Sequence, residues 1–141
     1  MTELDASTGA LVQVLSASNY GFGSPDAVTS DGTHVWVVNE DGSVTELDAS
    51  TGALVQVLSA PTYGFNEPDA TSADGTHVWV ANAGTGQGGS VTELDLSSGA
   101  LVKVLSGSSY GFDEPPGVSS NGTDVWVTNY LGQSVTGFPT N

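Results

Sequence analysis

Asp31-Gly32-Thr33-His34-Val35-Trp36-Val37-Val38-Asn39 is the stretch that decides how this chain is read. Asp-Gly makes a tight turn, the unbroken valines around one tryptophan make a short strand buried on both faces, and asparagine closes the run. The stretch returns as Asp74-Gly75-Thr76-His77-Val78-Trp79-Val80-Ala81-Asn82. It returns again, with polar exchanges, as Asn121-Gly122-Thr123-Asp124-Val125-Trp126-Val127-Thr128-Asn129. Aligned on tryptophan, the 141 residues form one domain of three repeats, 1–43, 44–90 and 91–134, with a tail at 135–141. Residues 2–17 and 45–60 are identical. Duplication that recent means a site present in one copy should recur in the others.

Working outward within the second copy, turn signals cut the repeat into four short strands. Residues 44–47 form one, the Asp48-Ala49-Ser50-Thr51-Gly52 turn follows, and 53–58 alternate around Gln56. A loop holding Tyr63-Gly64-Phe65 ends at Pro68; 69–72 is a small-residue strand and 76–81 the strong one. No window sustains apolar residues at i, i+3 and i+4 over helical length, so the chain reads as all-β. Four strands per unit of this length fit a β-propeller blade, whose repeats run ~40–45 residues. The small-residue strand suits the crowded axis, the Val-Trp-Val strand the middle of the blade, and 53–58 the rim. Trp36, Trp79 and Trp126 would stack sugars only if exposed; their valine flanks place them in the core between blades. Tyr20, Phe22, Tyr63, Phe65, Tyr110 and Phe112 lie in the loops crossing to the next blade and should fill the gap there.

Sixteen acidic residues stand against one base, Lys103, for a formal charge of −15. No basic patch can be built, which argues against nucleic acid or an anionic membrane as partner. There is no cysteine for disulfides or thiolate metal sites. No apolar run reaches the ~18 residues of a membrane span, and residues 1–5 lack the basic and apolar regions of a secretory signal. The sequence names no compartment. Met1 stands where Val44 and Val91 stand in later copies, so the chain begins in register inside a repeat, as an array excised or engineered from a longer one would.

The repeats resemble the YVTN/NHL type of bacterial propeller. The resemblance rests on Asp74 to Asn82, on Pro68-Asp69-Ala70, and on Ser90-Val91-Thr92-Glu93-Leu94-Asp95. It implies six or seven blades in a complete ring, used for binding and, in some lyase relatives, for catalysis. Propellers close with typically ~4–8 blades, so three blades would leave two apolar blade faces wet. The expectation is a homodimer forming one six-bladed ring, with a homotrimer of nine blades as the other closure. Residues 1–4 and 135–138 compete for the third-strand slot of the split blade. The retained Glu-Leu-Asp favours the first, because Pro139 suits only an edge or exit.

Candidate site residues are few. Asp26 and Asp69 begin the innermost strand at the tunnel mouth, where carboxylates could take a hard cation such as Ca²⁺; the third copy has Pro116 there. Asn39, Asn82 and Asn129 end the second strand beside a loop of variable length. With Glu40, Asp41, Tyr130 and the insertion at 83–89 they would form a binding face. His34 and His77 sit a blade apart and are expected to be structural. No nucleophile with a base, phosphate loop or metal-ligand spacing is visible, and no cofactor is expected. The sequence therefore favours a non-enzymatic, self-assembling propeller scaffold. Its rivals are a small-ligand, glycan or cation-binding ring and a virginiamycin-lyase-like enzyme.

Overall fold

The computed structural model describes residues 1–84 and 88–140. The Asp31-Gly32, Asp74-Gly75 and Asn121-Gly122 turns close in the same way. Asp31 Oδ1 accepts the Thr33 and His34 amides at 2.6 Å each, and Asn121 Oδ1 accepts those of Thr123 and Asp124 at 2.8 and 2.9 Å. The glycines that follow adopt φ of +91°, +93° and +84° at Gly32, Gly75 and Gly122, a region closed to most side chains.

The turns separate thirteen strands among the described residues. β1 (Thr2–Leu4) and β2 (Leu11–Val14) form an antiparallel hairpin. β3 (Pro25–Ser30), β4 (His34–Asn39), β5 (Ser43–Asp48) and β6 (Leu54–Leu58) form a four-stranded meander, the first full blade. β7 (Pro68–Ala73), β8 (His77–Asn82), β9 (Ser90–Asp95) and β10 (Leu101–Leu105) form the second. β11 (Gly117–Ser120), β12 (Asp124–Asn129) and β13 (Ser134–Pro139) form a third blade of three strands. The innermost strands β3, β7 and β11 lie side by side, with β7 between the other two, so the blades fan out from a common edge.

Alternation along the middle strand sets the packing. In β4, Val37 faces back toward the β1–β2 hairpin while Trp36 and Val38 face forward into the second blade. Trp36 joins Val44, Leu58, Val78, Val80 and Leu94 in one core cluster, with Tyr63 and Phe65 packed against it. One blade later, Trp79, Val91, Phe112, Val125 and Val127 repeat the arrangement. In each crossing loop the aromatics stack nearly parallel, at 5.4 Å for Tyr20 and Phe22, 5.2 Å for Tyr63 and Phe65, and 5.1 Å for Tyr110 and Phe112.

Within a single chain the slot beside β12 is held by β13: Val125 stands opposite Phe138, Trp126 opposite Gly137 and Thr128 opposite Val135. A short turn tethers β13 to β12, whereas β1 belongs to the far end of the fan, and a short closure costs little entropy. Thr136 Oγ1 donates to Tyr110 O at 2.7 Å, just as Thr45 and Thr92 bind Tyr20 O and Tyr63 O.

Candidate functional site

The β4–β5 turn and the loop entering the blade are tied together on one face. Glu40 N donates to Ser24 O at 3.0 Å, and in the later blades Ala83 N donates to Glu67 O and Tyr130 N to Glu114 O. The accepting residues hold left-handed backbones, φ +55° at Ser24, +49° at Glu67 and +46° at Glu114, a conformation that stores of order 1 kcal/mol each. The Asp41 carboxylate fills the space above Gly23, where a Cβ would stand 1.8 Å from its Oδ2. Of the 83–89 insertion, residues 85–87 lie outside the described residues.

The three asparagines are turned away from that face. Asn39 and Asn82 are wholly buried and Asn129 nearly so. Asn82 Nδ2 donates to Ser90 Oγ and Thr92 Oγ1, each at 3.1 Å, and Asn39 and Asn129 repeat the pattern with their own β-strand partners. A short amide at the strand end reaches the next strand's hydroxyls, which in turn bind the crossing loop. These residues staple three segments through their amide nitrogens from inside the blade, while the Oδ1 atoms of Asn39 and Asn82 are buried without a partner among the described residues.

Carboxylates do gather at the axis. Asp69 is pushed above its ordinary value, first by burial and then by the charges of Asp26, Glu67, Glu40 and Glu114. Asp26 itself is exposed. Sequence reasoning named Asp26, Asp69 and Glu40 but missed Glu67 and Glu114, whose signal was the Glu-Pro pair preceding the inner strand in two copies. The result is a negative patch at the inner edge of the fan. Among the described residues no three His, Asp or Glu side chains are arranged to hold a metal ion.

His34 and His77 line one open groove of about 490 Å³ between the two full blades, on the side of the Asp-Gly turns. Each ring lies between carboxylates. His34 Nδ1 is 3.3 Å from Asp31 and its Nε2 3.7 Å from buried Glu46. His77 Nε2 is 3.3 Å from Glu93, and its Nδ1 contacts Thr76 Oγ1 at 3.0 Å. Each Nδ1 thus has a hydrogen-bond partner, and each Nε2 faces a buried carboxylate. Glu46 also accepts Gln56 Nε2 at 2.6 Å, and Glu93 is paired with Lys103 at 3.1 Å.

The ends of the fan differ from its interior. Trp36 and Trp79 are 0% exposed, but Trp126 is 53% exposed. Leu47 and Leu94 are 0% exposed, but Leu4 is 57% exposed. Trp126 therefore lies on an open blade face and not between blades of this chain as its valine flanks suggested. Val135 shares its face, and Leu11 and Val28 are exposed at the other end.

Four-stranded antiparallel sheets radiating from a shared inner edge define an all-β chain with the β-propeller fold. Comparison with solved structures agrees. The chain is similar to BamB from Moraxella catarrhalis (20% identity, TM-score 0.60, covering 97% of this chain and 39% of that one). It is similar to the dihydro-heme d1 dehydrogenase NirN in complex with DHE (19%, 0.59, 99% and 32%). It also resembles the Cps50 (Swd1) β-propeller domain from Myceliophteria thermophila (16%, 0.58, 77% and 33%). The chain spans about a third of the length of these structures. No family model matches it, and no curated protein matches it by sequence.

Proposed function

We propose that the chain is a non-enzymatic β-propeller interaction module of the YVTN/NHL kind that completes its ring by associating with a second copy, giving six blades. One observation carries the reading. Residues at equivalent positions of near-identical repeats are sealed inside the fan and wet at its two ends, Trp126 against Trp36 and Trp79, Leu4 against Leu47 and Leu94. Contiguous apolar faces of this kind mark association surfaces. A blade face at each end favours head-to-tail closure, and twofold symmetry makes the two seams equivalent. The non-enzymatic part is supported by the histidines, which stand a blade apart, each with its Nδ1 bound to its own turn and its Nε2 facing a buried carboxylate.

Native mass spectrometry and light scattering at about ten micromolar test this. The expected particle has twice the 14.2 kDa chain mass. A 14.2 kDa particle would end the proposal, and three times that mass would replace six blades by nine.

A further inference from the structure

We infer, resting on the association just proposed, that the seam forms by strand exchange. β1 of one copy takes the place of β13 beside β12 of the other, and Trp126 enters a cavity already present in the first copy. The cavity, about 370 Å³, is lined among others by Met1, Leu15, Val28, Val35 and Leu47. These walls correspond, repeat for repeat, to those around Trp36. Met1 stands for Val44, Leu15 for Leu58, Val35 for Val78 and Leu47 for Leu94. The chain thus holds three copies of the tryptophan, but its third matching cavity lies at the opposite end of the fan. The seam continues an interface that the molecule builds twice within itself.

Two further unfilled positions match in the same register. A Cβ on Gly21 would stand 3.0 Å from Val57 and one on Gly64 3.4 Å from Val104, but among the described residues nothing lies within 4 Å of one on Gly111. Its missing neighbour corresponds to Val14, which is exposed. Likewise Gln13 covers Gly52 and Gln56 covers Gly99, whereas Gly9 is uncovered and corresponds to the position Lys103 would cover. Both require β1–β2 of the second copy to be the outer half of the third blade.

β13 holds that slot with substitute contacts. Thr136 binds Tyr110 O as Thr2 would, and Phe138 packs on Trp79 as Leu4 would. It has Gly137 where the repeat has glutamate, and the Trp126 ring lies over that glycine, within 2.6 Å of where a Cβ would stand. Glu3 arriving opposite Trp126 would take that space and turn the ring toward the cavity. Exchange replaces β13's ladder on β12 with that of β1, adds β2 as a fourth strand and buries the tryptophan.

The exchanged register sets Asp124 opposite Asp5 of the second copy, as His34 is set opposite Asp48. The chain has no cysteine, so the double variant Asp5→Cys, Asp124→Cys reports only this pairing. Oxidation is expected to give a covalent dimer on non-reducing gels. Trp126→Ala, at an exposed position that the protomer's own core does not need, is expected to weaken association at least ~30-fold, as central interface tryptophans do. A wild-type chain that never associates would end the underlying reading and this inference with it. A dimer that survives Trp126→Ala undiminished, or that forms no disulfide at positions 5 and 124, would keep the association and overturn the exchanged seam.

Discussion

Asp31 and Asp74 occupy the same place in the repeat, and replacing each by alanine should have very different consequences. Both accept the two amides of their turn, at 2.6 and 2.6 Å for Asp31 and at 3.1 and 2.9 Å for Asp74. Asp74 does more: its Oδ2 accepts the buried Trp79 indole N–H at 2.8 Å and the Ser120 hydroxyl of the next blade at 2.6 Å. Ala73 stands in the first blade gap where Ser120 stands in the second. Lacking that hydroxyl, Asp31 turns to His34 instead, and the Trp36 indole nitrogen has no acceptor. Loss of the turn bonds should cost about 1 kcal/mol in either variant. Asp74→Ala additionally orphans a buried indole N–H and an interblade hydroxyl, for a total of about 3 kcal/mol. The difference of about 2 kcal/mol corresponds to roughly 6 °C in Tm for a chain of this size. Urea unfolding followed by tryptophan fluorescence measures it, at one fixed protein concentration because association shifts apparent stability. The pH dependence supplies a second check. Asp74 is held well below its ordinary 3.8, with burial opposing and the bonds from Ser120, Trp79 and the turn prevailing. Its contribution is therefore complete above pH 3.8 and is lost as pH falls toward the folded-state value, so the gap to Asp74→Ala should narrow in acid. Equal costs for the two alanine variants, within about 0.5 kcal/mol, would refute the reasoning.

Three other outcomes are expected. Lys103→Gln should be nearly neutral in chemical denaturation, because Gln13 and Gln56 serve Glu3 and Glu46 at 2.6 Å, whereas Lys103→Met should cost about 2 kcal/mol by leaving Glu93 buried without its cation. Gly89→Ala should lower Tm by more than Gly23→Ala. Its Cβ would meet the Pro115 ring at 2.2 Å and the Asn82 carbonyl at 2.9 Å, while at Gly23 only the Asp41 side chain must move, and Asp41→Gly should rescue that variant. Asp69→Asn should raise Tm at pH 7 in low salt, since a carboxyl raised in the folded state carries a penalty above its folded value that is relieved as pH falls. A gain that persists at pH 3 would show that ionisation of Asp69 is not the cause, and molar salt should remove only the part owed to the neighbouring carboxylates.

Much of the fold was legible because its determinants are local. The Asp-Gly and Asn-Gly turns, the alternation in β6 and the doubly apolar β4 and β8 are properties of a few neighbouring residues, and repetition multiplies the signal. The aromatics of the crossing loops were legible for the same reason. The candidate site was less so. Asn39, Asn82 and Asn129 look like ligands in a string of letters, but they are buried and their amide nitrogens find Ser and Thr hydroxyls on the adjacent strand. Glu67 and Glu114 escaped notice because their gathering with Asp69 depends on how three inner strands crowd one axis.

By itself, the sequence determined the strand menu, the blade unit, the negative charge and the absence of thiols, since each follows from residue type and short spacing. Tertiary structure alone decided which of two equal aspartates anchors a tryptophan, that β13 pairs with β12 within one chain, and that Trp126 is exposed there while its twins are sealed. The reason is physical: near-identical repeats carry identical local instructions, and only the neighbour that each blade does or does not have makes their residues different.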